Sequence, residues 1–299
     1  MNNVRFIMMV GLPCSGKSYH SQELAKEYNA EIFSSDELRI ELFGDVNCQD
    51  RNQELFIELH RRIKDCLRSS KSAIYDACNI NYKRRMAFLK ELTNIPCEKI
   101  CVLMATPYEE CLKRSTERDR KVPEDVIKRM YTNFNIPYWY EGWDDIIVEY
   151  NGYEKFYGDP YENVVIKYKN YDQHNSHHTN TLGNHCRDTF IKLINARPCI
   201  AWAGLVHDCA KPFCATYINK KGEETPECHY YDHQFCSSYS ALFYDYDEAN
   251  PLDISILVLW HMQPYFNKED KTKNKYKKLW GEDLHNNLME LHMADKSSH

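Results

Sequence analysis

Two hydrophobic rhythms divide the chain. Up to about residue 150, short apolar runs ("VRFIMMV", "EIFSS", "SAIYDA", "EKICVLMA", "DIIVEY") recur between stretches with helical spacing of apolar positions, such as Gln53 to Ser69. Alternation of buried strands and amphipathic helices predicts a parallel sheet flanked by helices. Beyond Tyr150, "NGYEKFYGDPYENVVIKYKNYDQHNSHHTN" is punctuated by Gly, Pro, Asn and Asp and predicts a boundary. Strand signals then mostly stop. Helical patterns follow at Thr181 to Ala196, Cys199 to His207, Tyr231 to Tyr246 and Leu284 to Lys296. The expectation is an α/β domain at 1–152, a linker at 153–169 and an all-α domain at 170–299.

The bulk numbers agree with two cores, since 299 residues with 43% apolar content exceed one typical domain. The net charge of -6 is shared, with 22 basic and 24 acidic side chains up to residue 152 and 16 against 20 beyond. No global basic field recruits nucleic acid, so any such binding must come from local clusters. Thirteen cysteines are an odd number, no C-x-x-C pair occurs and no signal peptide is recognised. The thiols therefore read as reduced and mostly buried, and a thiolate zinc knuckle is not expected. Without a long apolar span or lipidation signal, the expectation is a soluble, cytoplasmic protein with no membrane partner.

The first chemical motif is "GLPCSGKS", which follows the first apolar run and opens a helix. Gly11 and Gly16 allow backbone N–H groups to turn inward around phosphate oxygens, with Pro13 and Ser15 completing the loop. Lys17 can reach the β- and γ-phosphates, and the Ser18 hydroxyl can ligate Mg²⁺. In "SSDELR", Asp36 follows the second strand, where a carboxylate could accept a proton from an attacking hydroxyl, and Arg39 could bind an anion. The plainer alternative makes Ser35 or Asp36 a helix N-cap and Arg39 a solvated side chain. "CLKRSTERDRKVPEDVIKRMY" supplies Arg114, Arg118 and Arg120 in a helix-loop-helix that could close over a transferred phosphoryl group, or simply form a solvated charged face.

With these residues, the segment from 4 to about 145 resembles the polynucleotide 5'-kinases of phage and bacterial end-healing enzymes. The resemblance implies that Lys17 and Ser18 bind ATP and Mg²⁺. It makes Asp36 the general base for a 5'-hydroxyl, Arg39 a contact to the acceptor's neighbouring phosphate, and Arg118 the lid arginine. "YDACNINYKRR" is similar to the family's strand-end Asp and Asn, with one residue inserted between Asp76 and Asn79, and Arg84 and Arg85 would give a local positive patch.

Histidines crowd the region beyond residue 173. The adjacent pair His207 and Asp208 is a weak signal alone, because neighbours on a helix point about 100° apart. Its company changes the odds: "TLGNHC" with His185, "HYYDHQFCSS" with His233, "LVLWHMQP" with His261 and "LHMADKSS" with Asp295. In this order the motifs resemble the HD phosphohydrolase superfamily over roughly 170–299. That resemblance implies one divalent metal on His185, His207, Asp208 and Asp295, with Asp208 bridging to a second held by His233 and His261. Mixed imidazole and carboxylate ligands suit Mn²⁺, Fe²⁺, Ni²⁺, Co²⁺ or Zn²⁺. Lys211 is placed to neutralise a phosphate, or is merely a lysine favoured by a helix C-terminus. His229 competes with His233, which is preferred because its helix continues through Cys236 and Ser240. His177 and His178 are candidate substrate contacts.

Adding and removing phosphate on one chain makes sense if the two activities treat different ends of a break. The leading expectation is a bifunctional end-healing enzyme, phosphorylating a 5'-hydroxyl and removing a 3'-phosphate, 2'-phosphate or 2',3'-cyclic phosphate. Its partners would be nucleic-acid ends, RNA favoured over DNA, and a ligase acting downstream; oligomeric state is left open. One alternative is a nucleoside or nucleotide kinase fused to a nucleotide phosphohydrolase. Another is a non-catalytic ATP-binding sensor that gates a partner.

Overall fold

Strand β1 (Arg5–Val10) is buried on both faces. Its alternation sends Ile7 and Met9 into a core with Leu24, Ile74, Ile100, Val102 and Met104. Phe6 meets Phe88 edge-on at 5.4 Å. A strand apolar on both sides requires cover on both sides. In the computed structural model, which describes residues 4–176, 179–266 and 269–298, β1 lies in the middle of a five-stranded parallel sheet. The other strands are β2 (Ala30–Ser34), β3 (Ser72–Asp76), β4 (Glu98–Met104) and β5 (Asp145–Glu149), in the order β2-β3-β1-β4-β5. The flanking helices are α1 (Lys17–Tyr28), α2 (Ser35–Phe43), α3 (Asn52–Arg68), α4 (Tyr82–Glu91), α5 (Tyr108–Glu117) and α6 (Glu124–Tyr131).

The chain divides into two compact units. The first runs up to Met130 and includes Pro137–Asn151; the second comprises Tyr131–Ile136 and the chain from Gly152 onward. The second unit is mainly helical: α7 (Leu182–Lys192), α8 (Pro198–Val206), α9 (Lys211–Cys214), α10 (His233–Ser240), α11 (Pro251–Trp260), α12 (Gln263–Phe266) and α13 (Asp270–Lys296). Helices α8 and α11 are buried almost throughout, as helices without a polar face must be. Helix α13 is broken at Gly281, whose φ of 75° leaves the helical region.

Two expectations change here. The second unit is not all-α, because Thr216–Ile218 (β6) and Glu224–His229 (β7) form an antiparallel hairpin. Residues 153–169 also do more than link. They carry a π-helical segment, Tyr161–Ile166, with Val164 and Val165 buried. A side chain at Gly183 of α7 would lie 2.4 Å from the Val165 carbonyl oxygen and 2.7 Å from the Lys169 nitrogen. Only a glycine lets that backbone approach so closely.

Candidate functional site

At the end of β1 the chain turns through Cys14 and Gly16, both at positive φ, 63° and 95°. The Gly11 N–H donates to the Cys78 carbonyl beyond β3 at 3.1 Å, and Thr106 donates its hydroxyl to the Ser15 carbonyl at 3.0 Å. Helix α1 then begins without a side-chain cap on its N–H groups. Uncapped N–H groups at the positive end of a helix form an anion site. The Lys17 ammonium bridges the loop, donating to the carbonyls of Gly11 (3.2 Å) and Leu12 (2.7 Å), while Ser18 is exposed beside it. Pro13 is half-buried in the loop, and Ser15 is buried with its hydroxyl unpartnered. The left-handed glycine, the spanning lysine and the uncapped helix fit a nucleotide triphosphate, and Ser18 is the residue that would hold its Mg²⁺.

Ser34 caps α2 by accepting from the Glu37 N–H, so Asp36 lies inside the first turn with its carboxylate exposed. Two guanidiniums hold that carboxylate: Arg39 at 3.1 Å on Oδ1 and Arg120 at 2.9 Å on Oδ2. Arg39 is buried and also donates to Asn52 at 2.8 Å, with its Nε unpartnered. Arg118 reaches the phosphate loop itself, 3.4 Å from the Cys14 sulfur. Arg114 comes close too, with a nitrogen 3.7 Å from where a Cβ on Gly16 would lie. The α5–α6 arginines thus gather around the loop and Asp36.

The second basic pair divides. Arg84 is exposed, but Arg85 is buried, so it does not belong to an open positive patch. It meets Glu141 through both Nε (2.7 Å) and NH2 (2.5 Å), and donates NH1 to the Asn79 carbonyl at 2.9 Å. Asn79 in turn donates to the Met9 carbonyl at 2.9 Å. Asp76 is buried at the end of β3. Burial pushes the Cys78 thiol up, against the opposing Lys17 charge.

In the second unit, six side chains separated by up to 110 positions converge: His185 from α7, His207 and Asp208 after α8, His233 at the start of α10, His261 after α11, and Asp295 near the end of α13. All six are buried. Asp208 presents Oδ2 to His185 (3.4 Å) and His207 (3.3 Å), and Oδ1 to His233 (3.0 Å) and His261 (3.7 Å). Asp295 closes the first group, with Oδ1 3.2 Å from His185 and 3.4 Å from His207.

Every imidazole points Nε2 inward. Every Nδ1 faces a backbone carbonyl: His185 to Ser298 (3.2 Å), His207 to Gly204 (2.8 Å), His233 to Tyr230 (2.7 Å) and His261 to Val258 (2.7 Å). A carbonyl can only accept, so each Nδ1 carries a proton, and an Nε2 that gives up its own proton turns its lone pair to a central cation. The donor atoms form two groups that each suit one cation and share Asp208: His185, His207 and Asp208, and Asp208, His233 and His261. Two imidazoles with a bridging carboxylate per group match a first-row divalent metal.

Burial works against a charge on His207, but Asp208 and Asp295 overcome it and raise the imidazole to about 10. Burial and the neighbouring His207 and His233 push His261 down to about 3. Both carboxylates lie well below their usual range despite burial, held down chiefly by His207. The pocket is thus built around positive charge.

Lys211 is buried, its ammonium 2.7 Å from Asp208 Oδ2 and 2.8 Å from Gln173 Oε1. His229 lies elsewhere, at the end of β7, with Nε2 3.0 Å from the Thr225 hydroxyl. His177 and His178 fall outside the described residues. Sequence reasoning missed Gln173, which has no pattern to mark it, and Tyr265, which donates to Asp295 Oδ2 at 2.9 Å. Tyr265 stands one turn beyond His261, and that i,i+4 spacing was an available signal.

The five-stranded parallel sheet and its phosphate loop define the first unit as a P-loop domain with a kinase-type fold. Residues 6–137 match the family model described as AAA domain. L-seryl-tRNA(Sec) kinase of Methanococcus maripaludis is 28% identical over 148 residues, 48% of this chain and 58% of that protein. Heterogeneous nuclear ribonucleoprotein U-like protein 2 of Mus musculus is 27% identical over 184 residues, 54% of this chain and 23% of its own. The chain therefore spans well under two thirds of either relative's length. Among solved structures, the Pnkp1/Rnl/Hen1 RNA repair complex aligns with a TM-score of 0.38 at 18% identity, covering 44% of each chain. A gluconokinase from Sinorhizobium meliloti aligns with a TM-score of 0.37 at 14% identity, covering 50% of this chain and 83% of that one. No helix among the described residues is long and apolar enough to cross a membrane.

Proposed function

We propose that the chain is a bifunctional nucleic-acid end-healing enzyme of the HD phosphohydrolase type in its second unit, with RNA termini as substrates. The observation that carries this reading is the shared carboxylate of Asp208, which turns one oxygen to His185 and His207 and the other to His233 and His261. That arrangement sits on the same chain as a phosphate loop whose neighbouring carboxylate, Asp36, is clamped by two arginines. A relative named for phosphorylating an RNA-borne hydroxyl, the seryl-tRNA kinase, supports RNA over a small sugar as acceptor.

In the kinase unit, the attacking hydroxyl of the 5' terminus gives its proton to Asp36 as its oxygen bonds to the γ-phosphorus, and the bond from that phosphorus to the β-phosphate oxygen breaks, with ADP as the leaving group. Lys17, Arg118 and Arg120 carry positive charge to the side where negative charge spreads over the transferred group. Ser18 is the residue that would hold Mg²⁺, which would supply charge neutralisation for the phosphates. In the second unit, His185, His207, Asp208 and Asp295 would hold one divalent cation and Asp208, His233 and His261 another, supplying Lewis acidity at a 3'- or 2'-phosphate. Lys211 holds an ammonium at the edge of that pocket, where a phosphate oxygen would sit. A ligase acting on the healed ends is the partner this chemistry calls for.

The test uses the full chain, labelled ATP, a 5'-hydroxyl RNA and a 3'-phosphate RNA. Lys17→Ala is expected to abolish only phosphate addition and Asp208→Ala only phosphate removal. Inactivity of the unsubstituted protein on both ends under saturating Mn²⁺ or Ni²⁺ would overturn the reading, as would equal competition by mononucleosides.

A further inference from the structure

The hairpin β6–β7 leads into a three-residue segment, His229–Tyr230–Tyr231, which ends two residues before His233 of the cluster. Its middle residue faces inward. Tyr230 is buried, donates its hydroxyl to the Gln173 carbonyl at 2.7 Å, and lies 5.5 Å from the Lys211 ammonium across its ring face. Its own carbonyl accepts from His233 Nδ1 at 2.7 Å. The two flanking residues are half-buried, with rings stacked at 5.2 Å and only 16° from parallel. Tyr230 and Tyr231 follow the end of β7, and there one side chain is buried beside Lys211 while its two neighbours stack on each other. The exposed Lys220 of the hairpin turn holds its ammonium 5.1 Å from the Tyr231 ring.

We infer that the His229–Tyr231 stack is a shelf for the terminal nucleobase of the phosphate ester handled by the Asp208 cluster. This rests on the phosphohydrolase reading above and extends it from a phosphate to the nucleoside that carries it. Tyr231 and the ligand His233 are two residues apart, so their Cα atoms lie within about 7.6 Å, the scale of one nucleotide. The shelf is pinned at both ends of its middle residue, by His233 and by Gln173. A base resting on it therefore fixes the attached phosphate relative to the cluster. Aromatic faces accept any base, and Lys220 offers a cation to an adjoining phosphate. Glu227, on the same side of β7 by alternation, opposes a run of further backbone phosphates and confines the shelf to a terminus.

Binding is measured by fluorescence anisotropy on the full chain loaded with Mn²⁺. The probes are a labelled RNA tetranucleotide ending in a 3'-thiophosphate and the same molecule with an abasic terminal residue. The base-bearing probe is expected to bind at least about fivefold more tightly, since stacking on one aromatic contributes about 1–3 kcal/mol. Tyr231→Ala and His229→Ala should collapse that ratio towards one, and Tyr231→Trp should restore it, with manganese content reporting whether the cluster survives. Equal affinity of the unsubstituted protein for both probes would overturn the shelf, as would a ratio untouched by both alanine variants at full manganese content. Hydrolysis of a 3'-phosphate RNA is scored separately. A protein that discriminates the probes without turnover refutes the hydrolase reading, and one that turns over without discrimination refutes the shelf.

Discussion

Removing one partner of the Arg85–Glu141 pair should unfold the first unit far more readily than removing both. The two side chains are 1% and 0% exposed, so neither charge has water to fall back on. Arg85 supplies two of the hydrogen bonds on the carboxylate, and Trp143 Nε1 supplies another at 3.0 Å. Burial already pushes Glu141 above the ordinary carboxylate range, with Arg85 opposing the shift. In Arg85→Met the carboxyl keeps its burial and loses its cation, which costs about 3–5 kcal/mol. In Arg85→Met with Glu141→Leu no buried charge is left, and most of that loss should return. Because two units need not unfold together, whole-protein melting is the wrong assay. Hydrogen exchange of the β1 amides reads the first unit alone, and a loss of about 3 kcal/mol appears there as roughly 150-fold faster exchange. The single variant should also be least damaged at low pH: Glu141 then folds with its pKa further above the unfolded value, so stability is retained below that value and lost as pH rises through the folded one. Exchange within about fivefold of the unsubstituted protein, or a double variant as labile as the single one, would refute the reasoning.

Elemental analysis should find up to two divalent ions per chain, close to none in Asp208→Asn, and retention of the His233–His261 ion in Asp295→Asn. Gly183→Ala places a methyl against backbone at 2.4 Å and should destabilise the second unit by about 1–3 kcal/mol, read as faster exchange across α7. His60 stacks on Phe88 at 4.0 Å and burial lowers it to about 4. A depressed histidine contributes stability that is present above about pH 6.5 and lost as pH falls to about 4, at most about 3 kcal/mol and nearer 2 after allowing for partial exposure. His60→Phe should flatten the pH dependence of β3 exchange in that window, and an unchanged slope would count against the assignment.

The five strands were legible because a sheet covered on both faces needs unbroken apolar runs, and β1, β3 and β4 supply them. The hairpin was not, because its second strand "ETPECH" has only Cys228 fully buried. With water on both sides of most positions, no alternation had to be written into the sequence. Residues 153–169 misled for the opposite reason: their Gly, Pro and Asn positions punctuate a segment whose burial rests on Pro160, Val164 and Val165.

For the candidate sites, visibility followed the origin of the geometry. The phosphate loop is made by consecutive residues, so its spacing alone carries its shape. Arg84 and Arg85 look identical as a dipeptide, and what separates them is Glu141, 56 positions away, which claims one helix face and leaves the other exposed. The Asp208 cluster lies between these extremes. Its six ligand-type residues each sit beside apolar segments that turn them inward, which made the set readable. Their orientation depends on the carbonyls of Gly204, Tyr230, Val258 and Ser298. Backbone acceptors have no residue identity to read. Three of the four carbonyls precede their histidine by three positions, through a helical turn at His207 and His261 and through a turn with Asp232 at a φ of 61° at His233, so at these three the local fold itself holds the proton on Nδ1. His185 instead depends on Ser298, at the far end of α13, and on that contact the closure of the first cation group around Asp295 depends.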